Sequence, residues 1–265
     1  MSTLENKQKV LTALKNKNFV KAISGIKNYD KQKTLSIAIA AEAGGASALD
    51  ICDDSEIIKE VRSSVELPLF VSSIDPLKLI AAVSSGADVL EIGNYESFYK
   101  EGKMFTPLEI LSILQFVRKS VPKDVLICCT IPATLETENQ IKLTKDLVNA
   151  GTDIIQTEGF SSDIPDTERK DQSYIDILKA ASTLTNTVEL RKAFQNISII
   201  TASGITPMTA PLAISMGANG VGVGTYINSL ATQAEMIKRV KEIVGSVNRF
   251  APQFVDYLKP TVSRK

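Results

Sequence analysis

The chain of 265 residues contains no histidine and no tryptophan. Without histidine there can be no Ser-His-Asp or Cys-His catalysis, no imidazole general base and no histidine-ligated zinc. Any chemistry must therefore use carboxylates, lysine, hydroxyls or thiols. We predict no metal site.

The chain also lacks net charge, with 30 basic and 30 acidic residues. Proteins that bind nucleic acid or an anionic membrane surface need a clustered cationic face, which this balance does not favour. Nor does any apolar stretch approach the roughly 20 residues of a membrane span. The N-terminal segment is polar and has no apolar signal-peptide core. The sequence predicts a soluble protein with neither nucleic acid nor membrane as a partner.

Cysteine is scarce, and the three residues do not form a metal-ligand spacing. Cys52, Cys128 and Cys129 lie in apolar runs, and the last two are adjacent. A redox role is the alternative, but this setting favours reduced, buried thiols that act as small apolar side chains. We therefore expect a reducing compartment.

What the sequence has is a repeated alternation of apolar runs and helical periodicity, the pattern of βα units around a parallel sheet. Eight strands are predicted, at Val20–Ser24, Ala48–Cys52, Leu67–Ser72, Val89–Ile92, Val125–Ile131, Ile154–Thr157, Ile197–Ala202 and Gly220–Gly224. Helices are predicted near 31–43, 54–64, 75–85, 107–119, 135–149, 173–192, 207–216 and 228–247, three of them opening on Asp75-Pro76, Thr106-Pro107 and Thr206-Pro207. The fold class is α/β, a single (β/α)8 TIM barrel over 1–265, with the barrel at about 18–247 and a C-terminal extension at 248–265.

Four segments share one sequence motif, a helix that ends in glycine and leads directly into a strand. The four glycines are Gly45, Gly86, Gly151 and Gly217, and the residues five positions later are Asp50, Glu91, Gln156 and Gly222. Equal spacing places these later residues in one layer of the barrel, and polar side chains there should face inward. They either serve a site at the carboxyl-terminal mouth or form a hydrogen-bonded plug.

The turns after strands seven and eight are the most informative part of the chain. They contain Ser203-Gly204 and Gly224-Thr225. TIM barrels often bind phosphate with these two loops, through backbone N–H groups and hydroxyls. We favour an anion site over plain turns. A weaker echo, Ser24-Gly25, follows strand one and is equally well explained as a simple turn.

Two loops on the same face are long, at 93–105 and 158–171. Long loops in compact domains are often lids or binding loops. The four aromatic residues of the first loop could cover a ligand ring, although packing on the barrel rim is the commoner role.

Lys21 stands in an apolar strand, where a lysine is out of place unless it is paired. If it faced inward beside Asp50 and Glu91, it could be a Schiff-base nucleophile or an acid–base group. Alignment of the two Ser-Gly-Ile turns, however, places Lys21 opposite Ile200, out of phase with Thr201, and turns it towards the helices. A structural salt bridge or neutralisation of ligand charge therefore remains an alternative.

The remaining candidates are weaker. Asp50 and Glu91 could transfer protons in a dry mouth, and Glu158 could share the face of Gln156. Thr130 and Thr201, at the ends of strands five and seven, could hold ligand hydroxyls.

Several segments together resemble a known family: Val20–Gly25, Ala48–Cys52, Ala87–Gly93, Gln156–Gly159 and Thr201–Ile205. They are similar to the hypothetical chloroplast reading frame twenty-three family of plastids and cyanobacteria, over nearly the whole chain to about residue 250. The resemblance implies a barrel similar to the ribulose-phosphate-binding group, and a location in the chloroplast stroma, with plastid-encoded synthesis, or in a cyanobacterial cytoplasm. It implies no catalytic residues.

Three functions follow as hypotheses. The first is an enzyme, of lyase, isomerase or synthase type, that acts on a small phosphorylated metabolite. The second is a non-catalytic barrel that binds a metabolite and regulates a partner. The third is a barrel of oxidoreductase type that binds flavin mononucleotide through the same phosphate loops; the sequence itself identifies no cofactor.

Overall fold

The computed structural model describes residues 3–99, 101–159 and 171–257. Strands and helices alternate along the chain. The strands are β1 (Phe19–Ile23), β2 (Ala48–Ile51), β3 (Leu69–Ser73), β4 (Val89–Ile92), β5 (Leu126–Ile131), β6 (Ile154–Thr157), β7 (Ser198–Thr201) and β8 (Gly220–Val223). The helices are α1 (Thr3–Lys15), α2 (Lys31–Gly44), α3 (Ser55–Ser64), α4 (Pro76–Ser85), α5 (Glu96–Tyr99), α6 (Pro107–Ser120), α7 (Thr137–Asn149), α8 (Gln172–Ala193), α9 (Ala210–Ser215), α10 (Thr225–Asn228) and α11 (Gln233–Tyr257).

The eight strands form a closed parallel barrel in sequence order, with β8 paired to β1. This confirms the predicted (β/α)8 fold. All eight predicted strands are present, each within about two residues of its expected bounds.

The glycine repeat forms as the sequence predicts. Gly45, Gly86, Gly151 and Gly217 have φ values of 82°, 116°, 97° and 106°. Glycine reaches this left-handed region without a Cβ penalty, so each one ends its helix and turns the chain directly into a strand.

Helix starts agree with the sequence at two of the three proline signals. The side chain of Asp75 accepts from the backbone of Leu77, and Thr106 forms a reciprocal capping box with Glu109. The prediction at Thr206-Pro207 is wrong, because α9 begins three residues later at Ala210. Thr209 accepts the N–H of Thr206 through its own hydroxyl, and that bond holds the intervening residues in a turn.

Helix α1 was not predicted, and it closes the amino-terminal end of the barrel. Its Val10 and Leu14 pack against Phe19 and Phe70 at the bottom of the interior. At the other end of the sequence, α11 runs to Tyr257, beyond the expected helix end at 247.

Most of the apolar core lies between the strands and the surrounding helices. Cys52, Cys128 and Cys129 are buried and free, as predicted. In the described residues, no helix is long and apolar enough to cross a bilayer.

Candidate functional site

A polar layer lies directly above the apolar bottom of the barrel. In β1 to β6 an inward apolar residue of the bottom layer is followed two positions later by an inward polar one, because side chains alternate along a strand. Phe19 is thus followed by Lys21, and Ile154 by Gln156. The equally spaced residues Asp50, Glu91, Gln156 and Gly222 meet in this layer: the amide of Gln156 donates to Glu91 at 2.7 Å, and a Cβ at Gly222 would lie 3.3 Å from Gln156 Oε1.

Lys21 is the cation of this layer. Its ammonium donates to Glu91, lies 3.5 Å from Asp50 and sits 4.8 Å from the centre of the Phe70 ring. Burial alone would lower the pKa of Lys21, but the two carboxylates outweigh it and hold the pKa above its ordinary value. Lys21 is therefore charged at neutral pH.

The inward orientation of Lys21 corrects one step of the sequence argument. That step took Thr201 as inward and Ile200 as outward. In the structure Ile200 belongs to the interior cluster, whereas Thr201 faces α8, where its hydroxyl lies 2.6 Å from that of Thr187. The alignment of Lys21 with Ile200 was correct; the face assigned to strand seven was wrong.

Asn94 covers the buried carboxyl groups of Asp50 and Glu91 on the side of the barrel mouth. Its amide nitrogen lies 3.2 Å from Asp50, 2.8 Å from Ser72 and 3.1 Å from Glu91. Two amide hydrogens thus serve three acceptors. Asn94 has φ 65°, a left-handed conformation that asparagine tolerates better than most residues.

Asp50 has a strongly perturbed acidity. Burial and the neighbouring Glu91 carboxylate raise its pKa, while Lys21 and hydrogen bonds from Ser72 and Asn94 oppose them; the pKa lies at about 7. Asp50 therefore changes charge near neutral pH within a group that holds one lysine and two carboxylates.

A cavity of about 590 Å³ opens at the carboxyl-terminal mouth of the barrel. Small-molecule sites typically have volumes of about 300–1,000 Å³. The lining includes Asn94, Gln156 and Glu158, together with the turns after β7 and β8. Lys21, Asp50 and Glu91 do not line it, because Asn94 and Gln156 separate them from the cavity.

The turn after β7 is positioned by close packing on α8. A Cβ on Gly204, whose φ is 68°, would lie 2.5 Å from the backbone carbonyl of Lys179. Only glycine allows this approach, which also brings Lys179 to the cavity wall. Ser203 has φ 76° and donates to Glu96 at 3.0 Å.

The turn after β8 supplies Gly224 and Thr225 to the same cavity, and Gly25 after β1 lines the side next to it. Thr206 adds a buried hydroxyl that has no hydrogen-bond partner among the described residues. The predicted phosphate turns thus share one cavity wall.

Glu158 is the carboxyl that reaches the cavity. It is 3% exposed and accepts from the backbone N–H of Glu96 at 2.6 Å and from the hydroxyl of Tyr99 at 2.8 Å. Burial raises its pKa to about 8, against the opposing effect of these hydrogen bonds. Glu158 is therefore mostly protonated at neutral pH and can donate a proton.

The remaining predicted residues divide between the two faces of the strands. Thr130 lies in the polar layer, with its hydroxyl 3.3 Å from the Gln156 amide and 3.5 Å from Glu91. Thr201 cannot hold a ligand hydroxyl as expected, because it faces the helices. Gly222 belongs to the polar layer rather than to the cavity lining.

The aromatic residues of the loop at 93–105 pack on the barrel rim. Tyr95 is fully buried with its ring centre 4.5 Å from that of Phe105, and Phe98 contacts Phe105 edge-on. In the loop predicted at 158–171, residues 160–170 lie outside the described part of the chain.

Sequence reasoning missed Ser72, Asn94, Glu96 and Lys179. Ser72 had a signal, since it stands two residues after the inward Phe70. The other three had none, because their positions depend on how a loop and a helix fold back over the mouth. No group of three or more acidic or cysteine side chains suited to a metal ion occurs among the residues described.

The closed barrel and the polar mouth at the carboxyl ends of its strands define a TIM-barrel protein. Structural comparison agrees. A 3-hexulose-6-phosphate synthase superposes with a TM-score of 0.61 at 12% identity, covering 86% of this chain and 99% of that one. An orotidine 5'-phosphate decarboxylase from Pyrococcus horikoshii gives a TM-score of 0.59 at 12% identity, covering 86% and 99%. At such identities the likeness shows the fold.

The chain belongs to the family described as "Protein of unknown function (DUF561)", whose model matches residues 4–251. An "Uncharacterized protein ycf23" from Pyropia yezoensis is 42% identical over 238 residues, 90% of this chain and 85% of the relative. Further relatives with the same name, down to 30% identity, are plastid-encoded proteins of algae. The resemblance to the chloroplast reading-frame family is confirmed.

Proposed function

We propose that the protein binds a small phosphorylated metabolite in the mouth cavity, inside the plastid. The observation that carries the proposal is the cavity itself, which joins the turns after β7 and β8 to a floor formed by Asn94 and Gln156. The phosphate lies against the two turns, and the rest of the ligand lies over the floor.

The phosphate end combines hydroxyls, close backbone approach and one cation. Ser203, Thr206 and Thr225 supply hydroxyls, and Gly224 places no side chain between the anion and the backbone. Lys179 is the cation among the described lining residues. A bound phosphate would replace Glu96 as the acceptor of the hydrogen bond from the Ser203 hydroxyl.

The chemistry we propose is proton transfer, with Glu158 as the catalytic group. Its carboxyl lines the cavity and carries a proton at neutral pH, so it can protonate a ligand atom and take the proton back. This is the role expected of an isomerase or lyase. Lys21 is not assigned a Schiff-base role, because two buried carboxylates keep it protonated.

Lys21, Asp50 and Glu91 instead act as a positioning group. Glu91 fixes both Asn94 and Gln156 through hydrogen bonds, and Lys21 compensates the buried negative charge. The floor that receives the ligand is thereby held rigid. The same arrangement would serve a barrel that binds a metabolite without converting it.

Calorimetric titration with ribose 5-phosphate, ribose and inorganic phosphate tests the binding proposal. We expect the phosphorylated sugar to bind at least about tenfold more tightly than ribose. Lys179→Gln should weaken its binding about three- to tenfold, through loss of a charge-assisted contact. Lys192→Gln, on the exposed surface of α8 beside Glu189, is the matched control and should change nothing.

Equal affinity for ribose and ribose 5-phosphate, or equal effects of the two lysine variants, would refute the phosphate site. Turnover of a bound ligand that is lost in Glu158→Gln would establish the enzyme; binding without turnover would leave the binding barrel. Immunoblotting of fractionated plastids tests the location.

A further inference from the structure

The cavity is richer in hydrogen-bond acceptors and negative charge than a phosphate ligand alone requires. Three carboxyl groups line it, those of Glu96, Asp176 and Glu158, of which Glu158 is mostly protonated at neutral pH, against the single ammonium of Lys179 among the described lining residues. A phosphate placed here adds further negative charge. The part of the ligand away from the phosphate should therefore supply donors and positive charge.

One buried acceptor on the floor has no donor. Gln156 is 1% exposed, and its amide nitrogen is used by Glu91, Asn94 and Thr130. Its oxygen Oε1 has no hydrogen-bond partner among the described residues. A buried carbonyl without a donor is unfavourable, and a ligand donor would remove this penalty.

Glycine occupies the position of β8 that faces this oxygen. A side chain at Gly222 would begin 3.3 Å from Oε1 and would also press against Ile23 and Ala202, at 3.0 and 3.1 Å. With glycine at this position, no side chain of β8 covers the oxygen.

We infer that the ligand carries an amino group as well as a phosphate, so that its class is the phosphorylated amino compounds, such as amino-sugar phosphates. This inference rests on the proposed function. The phosphate lies at the turns after β7 and β8, and the ammonium lies over Gln156 Oε1 among the three carboxyl groups. A hydroxyl could donate to Oε1, but an ammonium offers three donors and also balances the charge.

Glu158 gives the inference a second readout. Its pKa of about 8 reflects burial of the carboxylate form, and an ammonium close by favours that form. Binding of an amino ligand below pH 8 should therefore release a proton from Glu158. A ligand with a hydroxyl in place of the ammonium should release fewer protons, because only the phosphate, with a second pKa of about 6, then contributes.

The test compares glucosamine 6-phosphate with glucose 6-phosphate, which differ only in the amino group at carbon two. Both are titrated calorimetrically at about pH 6.5, in two buffers of different ionisation enthalpy so that proton release is measured. Unphosphorylated glucosamine and glucose complete the set. We expect glucosamine 6-phosphate to bind at least about tenfold more tightly than glucose 6-phosphate and to release more protons than glucose 6-phosphate does.

Asp176→Asn should reduce this preference about threefold or more, because it removes one cavity carboxylate. Asp146→Asn, on α7 and paired with Lys142, is the matched control and should leave the preference unchanged.

If glucose 6-phosphate binds as tightly as glucosamine 6-phosphate, and both bind more tightly than the free sugars, the amino-group inference is wrong and the phosphate site stands. If neither phosphate binds more tightly than its free sugar, the proposed function itself fails.

Discussion

Replacing Lys21 with methionine should greatly lower the free energy of unfolding, although the substitution nearly preserves side-chain volume. Lys21 is completely buried and is paired with Glu91 and Asp50. In Lys21→Met both carboxylates stay buried without their cation. Removing one partner of a buried ion pair costs about 3–5 kcal/mol.

Urea denaturation followed by circular dichroism gives the free energy of unfolding. We expect a loss of about 3–5 kcal/mol, or a fall in melting temperature of roughly 6–20 °C for a chain of this size. Lys59→Met is the matched control, since Lys59 pairs with Glu56 on the surface of α3; it should cost about 1 kcal/mol or less.

The stability lost in Lys21→Met should depend on pH, in a direction that follows from the pKa of Asp50. The pKa of Asp50 in the folded protein, about 7, lies above its ordinary value of 3.8, so Asp50 contributes stability that is complete below about pH 4 and lost as the pH rises through 7. Without Lys21 the carboxylate form is still less favourable. The difference between the wild type and Lys21→Met should therefore grow from acidic to neutral pH.

Two results would refute this reasoning. One is a loss of less than about 1 kcal/mol at neutral pH, the size of an exposed pair. The other comes from the double variant Lys21→Met, Glu91→Gln, which removes the Glu91 carboxylate that Lys21→Met leaves unpaired and should recover part of the stability. A double variant less stable than Lys21→Met would show that charge burial is not the cause.

Three further predictions concern the mouth. The pKa of Glu158 in the folded protein is about 8, against an ordinary 4.5, so Glu158 contributes stability that is complete below about pH 4.5 and lost as the pH rises through 8. The free energy of unfolding should therefore fall with pH, by at most about 1.4 kcal/mol per pH unit. Glu158→Gln should flatten this slope in urea titrations. Gly93→Ala should cost more than about 2 kcal/mol in the same assay, because its Cβ would lie 2.1 Å from Thr130 Oγ1. Ser203→Ala should weaken binding of ribose 5-phosphate about three- to tenfold, whereas Thr201→Val, which faces α8, should leave it unchanged.

An unchanged pH slope in Glu158→Gln, a fully stable Gly93→Ala, or a larger loss of affinity in Thr201→Val than in Ser203→Ala would each contradict the corresponding argument.

Periodicity made the barrel predictable, because every βα unit repeats the same local rules. The glycine that precedes each even-numbered strand also fixes the register of that strand, so Asp50, Glu91 and Gln156 could be placed in one layer without a structure. No such marker precedes strand seven, and Thr201 was assigned to the wrong face. A one-residue error reverses every side chain of a strand.

Lys179 and Asn94 could not have been predicted, for a different reason. Lys179 reaches the cavity because Gly204 lets the turn after β7 approach α8, a contact between distant parts of the chain. Asn94 becomes a roof only when β2 and β4 bring Asp50 and Glu91 beneath it. Neither contact can be deduced from local sequence patterns.

The closure of the barrel bottom by α1 bears on the order in which the chain can fold. The carbonyl of Leu14, near the end of α1, accepts from the side chain of Asn219 just before β8, 205 residues further along. During synthesis α1 emerges before the eight barrel strands, yet its docking surface is complete only after β8 has left the ribosome. α1 therefore cannot dock until β8 is available. Until then its apolar residues Val10 and Leu14 stay exposed, where they can bind chaperones or take part in misfolding.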